Sequence, residues 1–314
     1  MRLYAKLMKQ AQEMVRTFNP ALEAFSFKEL EAFWPTMTRD AMEMMFGRTV
    51  NKDGLDARTR LLLILAGIFA PLLTPFDPVR QDLRSVLQPP SATHLLGTDN
   101  LGRDVLARIM FGGRYTLLIG VVAVAIAAII GVPIGLISGY YGAGVDMVIQ
   151  RGADILLSFN AFLLALILVA VLGVGMQSVT LAAGIGVMPQ FVRIARAEAL
   201  SIRETDYVAA AVNFGAGSAR IIWRHVLPNA LTPVIVYATL NVGTTILVAA
   251  GLGFLGLGVQ PPAPEWGSML GEARSYIFHA PLQMTFPGLA IFLAVLSFNL
   301  MGDGLRDALD PELR

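Results

Sequence analysis

An all-α integral membrane protein with about six transmembrane helices is the architecture this sequence predicts, and three observations carry the expectation. The first is composition. Hydrophobic residues make up 55% of the 314 and charged residues only 15%, at a mean hydropathy of +0.62. A soluble domain carries about 25% charged residues because its surface must face water; this chain has too few to cover itself. The second is where the charges fall. Arg114 and Asp146 bracket 31 uncharged residues, Asp154 and Arg193 bracket 38, His225 and Glu265 bracket 39, and Arg274 and Asp303 bracket 28 with His279 near one end. A helix needs roughly 20 apolar residues to cross a bilayer. The third is the unequal share of basic residues among the loops, which orients such a chain. Other classes drop out early. A net charge of +1 leaves no footprint for nucleic acid, and the absence of cysteine excludes disulfides, thiolate metal sites and Cys nucleophiles.

In chain order, residues 1–60 are expected to form an atypical cytoplasmic N-terminal segment, and a transmembrane region to fill 61–314. Spans are expected at about 61–76, 115–139, 155–173, 177–195, 231–257 and 284–303. The first is weak. Its 16 residues between Arg60 and Asp77 reach only about 24 Å at 1.5 Å per residue, short of the roughly 30 Å hydrocarbon core. It crosses only by drawing in flanking residues or thinning the bilayer. With six spans, one side collects 18 Lys and Arg and the other six, so both termini are expected in the cytoplasm. Residues 1–30 lack the apolar segment of a cleavable signal peptide.

Two loops carry further signals. In the 77–114 loop, His94-Leu95-Leu96-Gly97-Thr98-Asp99-Asn100-Leu101-Gly102-Arg103-Asp104 places Asp99 as the N-cap of a helix. Leu101, Val105 and Ile109, with Leu106 and Met110, recur at helical spacing, and Asp104 and Arg108 sit at i,i+4. That helix is expected to end at Gly112-Gly113 and to lie at the outer interface before the second span. It reads as a structural collar, with direct substrate contact as the alternative. In the 196–229 loop, Thr205 can cap a short helix from Asp206 to Phe214 that Gly215 closes in a left-handed conformation. Ser218 then caps a second helix, Ala219 to Leu227, which Pro228 stops. A short, small-faced helix beside a hinge glycine suits docking into a partner's groove; two connectors with no partner fit the same spacing.

At this point the residues resemble a known family. Ala210-Ala211, Gly215 four residues on, and Leu227-Pro228 are similar to the cytoplasmic coupling signature of binding-protein-dependent ABC transporter permeases. Ala209 stands where that signature usually opens on an acidic residue, and His225 stands two before the Leu-Pro pair. The likeness continues through His94–Asp104, Phe254-Leu255-Gly256-Leu257-Gly258-Val259-Gln260-Pro261-Pro262, Trp266-Gly267, and Asn299 to Asp307, covering roughly 67–314. It resembles the second permease subunit of dipeptide, oligopeptide, glutathione or nickel importers. The resemblance implies the type I ABC importer permease fold and a heterodimer with a similar permease. It also implies two cytoplasmic ATPase subunits that bind ATP and Mg, a solute-binding protein outside, and no cofactor on this chain. It assigns ATPase coupling to Ala209, Ala210, Ala211, Gly215, His225, Leu227 and Pro228. An outer-face motif comprises Gly97, Thr98, Asp99, Gly102, Arg103 and Asp104. ATP closing the partner subunits would then rock two permease bundles about a central cavity.

The N-terminal 60 residues depart from that pattern. Leu55-Asp56-Ala57-Arg58-Thr59-Arg60 resembles the helical carboxymuconolactone-decarboxylase family, whose redox branch relies on cysteines that this chain lacks. A fused or displaced N-terminus replacing part of the first span is expected. Met37, Met42, Met44 and Met45 read as an apolar helix face. Gly251-Leu252-Gly253-Phe254-Leu255-Gly256 spells a dinucleotide fingerprint inside an apolar span with no strand before it; close helix packing explains it better. All four lysines (Lys6, Lys9, Lys28, Lys52) precede the main membrane region, so no phosphate-binding loop is available there. His94, His225 and His279 lack metal-ligand spacing. A proton-coupled secondary transporter would place ionisable groups inside the spans; these spans have none except Arg193 and Asp303 at their ends, although sodium coupling through backbone carbonyls survives that objection.

Overall fold

The computed structural model describes residues 74–309. The 1–60 segment lies outside the described residues, and so does the expected first span, 61–76, except for its last three positions. Among the described residues the regular structure is helical, with one isolated bridge between Thr98 and Asp104. Helix α1 is Val105–Tyr141, α2 is Ala143–Leu157, α3 is Ala161–Leu172 and α4 is Met176–Arg203. Helix α5 is Asp206–Asn213; α6, Ser218–Ile221, passes through a π turn at Ile222–Val226 into α7, Leu227–Phe254. Helices α8, Trp266–Ala273, and α9, Leu282–Leu309, complete the chain. Among the described residues four runs are long and apolar enough to cross a bilayer: α1, α4, α6 with α7, and α9. Helices α2 and α3 add a fifth only if counted as one span, and they meet at 89°.

Several expected boundaries change. The expected 155–173 span is broken at Ser158–Asn160, because Asn160 is extended and its side chain accepts from the Phe162 N–H at 2.9 Å, starting a new helix. Helix α3 has 12 residues, about 18 Å. The expected 140–153 loop is mostly α2. No separate collar helix precedes the second span: α1 runs without a break through Gly112-Gly113 for 37 residues. Gly112 does not end the helix because the residue serves contact instead, with Trp266 and the Pro264 carbonyl lying where its side chain would be. Pro228 does not stop its helix either. A proline is tolerated where a backbone donor is not needed, and the π turn just before it interrupts the regular α ladder there.

The core is built mainly by α1 against α4. Gly131, Gly135 and Gly139, one turn apart on α1, meet Met188, Val192 and Arg196 on α4; a Cβ at Gly131 would stand 2.9 Å from the Met188 carbonyl. Small residues let helix backbones approach where no hydrophobic effect drives them together. Phe191 and Leu136 are fully buried in this seam. Large apolar side chains such as Ile129 and Val171 face outward, as they do where lipid chains or a neighbouring subunit cover the surface. Helices α1 and α4 run parallel, their contacts rising together along both chains, whereas α7 runs antiparallel to α9. One end of the bundle gathers the 74–104 segment, the turn at 173–175 and the 255–281 segment, joined by Gly175 N–H to the Leu257 carbonyl at 3.3 Å. The other gathers the 142 turn, 204–217 and residue 309, where Arg203 Nη1 donates to the Tyr140 carbonyl at 3.1 Å. This grouping is the one expected from the charge pattern.

Candidate functional site

At the first end, all six motif residues are buried: Gly97, Thr98, Asp99, Gly102, Arg103 and Asp104. They build an ionic seat rather than a surface. Asp99 Oδ1 accepts from the backbone N–H of Leu101 and Arg103 at 2.8 and 2.9 Å. Its Oδ2 accepts from Arg103 Nε at 2.6 Å and from Arg108 Nη1. With both oxygens engaged, Asp99 does not cap α1. Asp104 does so instead, accepting from the Ala107 N–H at 2.7 Å, while its other oxygen pairs with His94 Nδ1 at 2.9 Å. The expected Asp104–Arg108 pairing is therefore replaced. Arg108 turns to Asp99 and to Glu272 of α8, 3.2 Å from its Nη2, and Arg103 Nη2 donates to the same Glu272 oxygen at 2.8 Å. Gly102 has φ +71, and a Cβ there would overlap the Asp82 carbonyl; a positive φ with no side-chain space admits only glycine. Gln283 at the start of α9 donates to the Thr98 carbonyl at 2.8 Å.

A second buried carboxylate sits beside this seat. Glu265 caps α8, accepting from the Gly267 and Ser268 N–H groups at 2.8 Å each and from Thr116 Oγ1 at 3.2 Å. Burial holds its carboxyl above the usual range, although these donors pull the other way. Trp266 ties α8 to α1 by donating from Nε1 to the Ile109 carbonyl at 2.8 Å. Two of the three glycines of the false dinucleotide fingerprint are packing residues: a Cβ at Gly253 would overlap Glu265 Oε2, and one at Gly251 would lie 2.8 Å from the Phe162 ring, whereas Gly256, at φ +79, has nothing within 4 Å of an added Cβ. Sequence reasoning missed α8, Glu265, Glu272 and Gln283. The available signal was a lone acid ending a 39-residue uncharged stretch directly before Trp266-Gly267.

At the opposite end, α5 projects between α4 and α6. Of its eight residues only Val208 is buried. Ala209 and Ala210 are exposed, Ala211 is half-buried, and Phe214 at the helix end is 92% exposed. Thr205 occupies the N-cap position, but its hydroxyl donates back to the Ile202 carbonyl at 2.6 Å rather than capping. The C-terminus is closed as expected. Gly215 has φ +80, its N–H reaches the Val212 carbonyl at 2.9 Å, and the Ala216 N–H reaches the Ala211 carbonyl at 3.0 Å. That is the Schellman pattern, which satisfies the last carbonyls of a helix through a left-handed residue. Helix α6 begins after Gly217 with no side-chain cap from Ser218. His225 lies in the π turn, Leu227 is half-buried and Pro228 exposed; Asn229 Nδ2 bridges the His225 carbonyl at 2.6 Å and Tyr207 Oη at 3.2 Å, binding the turn to α5. Among the described residues no group of His, Asp and Glu could hold a metal.

A bundle of long apolar helices, with a short displayed helix at one end and a buried ionic seat at the other, defines a multi-pass membrane protein of the transport-permease class. The chain belongs to the family described as the binding-protein-dependent transport system inner membrane component, which residues 131–314 match. It is 50% identical over 251 residues to the dipeptide transport system permease protein DppC of Alkalihalophilus pseudofirmus, covering 80% of this chain and 83% of that one. The di/tripeptide transport system permease protein DppC of Pseudomonas aeruginosa is 47% identical over 260 residues (81% and 86%). The glutathione transport system permease protein GsiD of Pectobacterium atrosepticum is 44% identical over 255 residues (81% and 85%). Among solved structures, an inward-facing MetNI methionine ABC transporter matches with a TM-score of 0.54 at 21% identity, covering 66% of this chain and 96% of that one. That likeness bears on the fold alone, and the fold is that of an ABC importer permease.

Proposed function

We propose that this chain is one of two transmembrane permease subunits of an ATP-driven importer of di- and oligopeptides. Its α5 end faces the cytoplasm, where two ATPase subunits hold ATP and Mg; a solute-binding protein delivers substrate to the Gly97 end. The observation that carries the reading is α5 itself. A helix with one buried residue, an alanine face and an exposed Phe214 is poorly explained as a connector and well suited to insertion into a partner's groove. The basic excess on its side of the bundle supports the orientation. The high identity to dipeptide permeases supports the substrate class, and the glutathione permease relative supports glutathione as the second reading. The chain itself carries no ATPase chemistry, having no lysine beyond residue 52 to serve a phosphate loop.

Reconstituting the complex in proteoliposomes with its binding protein tests this directly. ATP-dependent accumulation of a labelled dipeptide is expected, with unlabelled glutathione a poor competitor. Uptake of glutathione but not dipeptide would move the assignment to the second reading, and uptake without ATP would overturn it. The purified subunit alone is expected to hydrolyse no ATP.

A further inference from the structure

From the two buried guanidiniums at the Gly97 end and the carboxylates that answer them, buried Asp99 and half-buried Glu272, we infer that Glu272 is a positioning residue for import, clamping the 97–104 segment onto α8 so that the two move as one outer module. The inference rests on the importer reading above. Arg103 and Arg108 are 2% and 1% exposed, and among the described residues they face two carboxylates, Asp99 from the 97–104 segment and Glu272 from α8, 169 residues along the chain from Arg103. The four charges cancel. With Glu272 neutralised, Arg103 and Arg108 would still share the charge of Asp99, but nothing on α8 would answer them. Asp99 ties Arg103 and the Arg108 of α1 to the 97–104 segment; Glu272 is the charged group that carries the contact across to α8. The contact is reinforced on both flanks, by Gln283 Nε2 to the Thr98 carbonyl at 2.8 Å and by Trp266 Nε1 to the Ile109 carbonyl at 2.8 Å.

The consequence is mechanical. Helix α8 packs on α7 and α9, and α7 is continuous through the π turn with α6, which follows α5. A force applied by a docked binding protein to the 74–104 surface therefore reaches α8 through Glu272, and from α8 the helix that leads to the opposite end. Without Glu272 the loop would sit against α8 with two guanidiniums and one carboxylate, and a push on the loop would be transmitted only through the weaker Gln283 and Trp266 bonds.

The experiment uses the assembled complex in proteoliposomes. In Glu272→Gln the side chain keeps its shape and loses its charge. The ATPase activity without binding protein is expected to stay at the wild-type level, while stimulation by peptide-loaded binding protein falls about tenfold, the size of a typical coupling loss. Glu272→Asp should recover part of it. A purely structural role would instead lower assembly and both activities together. Because this chain has no cysteine, a second variant can carry only two, Asn100→Cys and Ala273→Cys, which line one cavity of about 20 Å³ between the segment and α8. Joining them with a short bifunctional thiol reagent should leave dipeptide uptake intact if the two parts travel together. Full stimulation in Glu272→Gln, or loss of uptake on cross-linking, would overturn the inference. If Glu272→Gln fails to assemble, the cross-linked complex decides alone. Failure of the wild-type complex to import dipeptide would instead strike at the importer reading.

Discussion

Two aspartates in the 97–104 segment compete for the start of α1, and what separates them is the demand of neighbouring guanidiniums. Either carboxylate has the reach to cap a helix. Asp99 is consumed by Arg103 and Arg108, so the cap passes to Asp104, five residues later. Local spacing held no information about Arg108's partner on α8. Gly253 shows the converse. Its pattern with Gly251 was legible as close packing, but the partner, Glu265, was not. Gly253→Ala would drive a methyl group into Glu265 Oε2 and within 3.1 Å of the Ser268 nitrogen. We expect it to lower stability by about 1–3 kcal/mol, as overpacking does, read as a drop in the thermal midpoint of the purified complex. Gly304→Ala in α9 is the control. Nothing lies within 4 Å of its added Cβ, and a helical glycine gains roughly 1 kcal/mol on becoming alanine.

At the scale of the element, α5 was read from sequence almost residue for residue, whereas α2, α3 and α7 were not. A capping signal and a hinge glycine at the two ends of eight residues are local chemistry. Hydropathy, in contrast, sums over windows and runs past the Ser158–Asn160 break, because Ile155-Leu156-Leu157 before it and Ala161-Phe162-Leu163-Leu164 after it are all apolar. The same blindness hid the passage of the helix through Pro228. Gly215→Val follows from the element's geometry. No atom lies within 4 Å of a Cβ at Gly215, so the substitution is opposed only by the backbone, at φ +80. A β-branched residue there costs about 1–3 kcal/mol and would re-aim α5 without disturbing the spans. Dipeptide uptake should fall while the complex still assembles, and its ATP hydrolysis should no longer respond to loaded binding protein. Gly217→Ala, at an ordinary φ of −68, should be silent. Normal uptake in Gly215→Val would remove α5 from the coupling path.

For the molecule as a whole, the charge bias on which the proposed orientation rests is spread over loops far apart in sequence, and much of it lies in the first 60 residues. Deleting residues 2–46 removes Arg2, Lys6, Lys9, Arg16, Lys28 and Arg39 and leaves Arg48, Lys52, Arg58 and Arg60 beside the first expected span. Four juxtamembrane positives suffice to hold that side in the cytoplasm. The truncated protein is therefore expected to insert in the same orientation and to import dipeptide at close to the full rate, measured by uptake and by labelling of single cysteines introduced into the 77–114 and 204–217 segments. Stable insertion with no uptake would give the N-terminal segment a transport role.

Composition, charge spacing and local capping determined that this chain is a helical membrane protein, which loops share an end, and where the small displayed helix begins and closes. Each of these is a property of neighbours in sequence or of bulk partition between water and lipid, so a linear reading reaches it. The tertiary structure alone decided which carboxylate answers Arg103 and Arg108, why Gly253 must be glycine, and where a run of apolar residues turns through 89°. Those outcomes depend on groups brought together from up to 169 residues apart, where the deciding quantity is the space and charge left by another element.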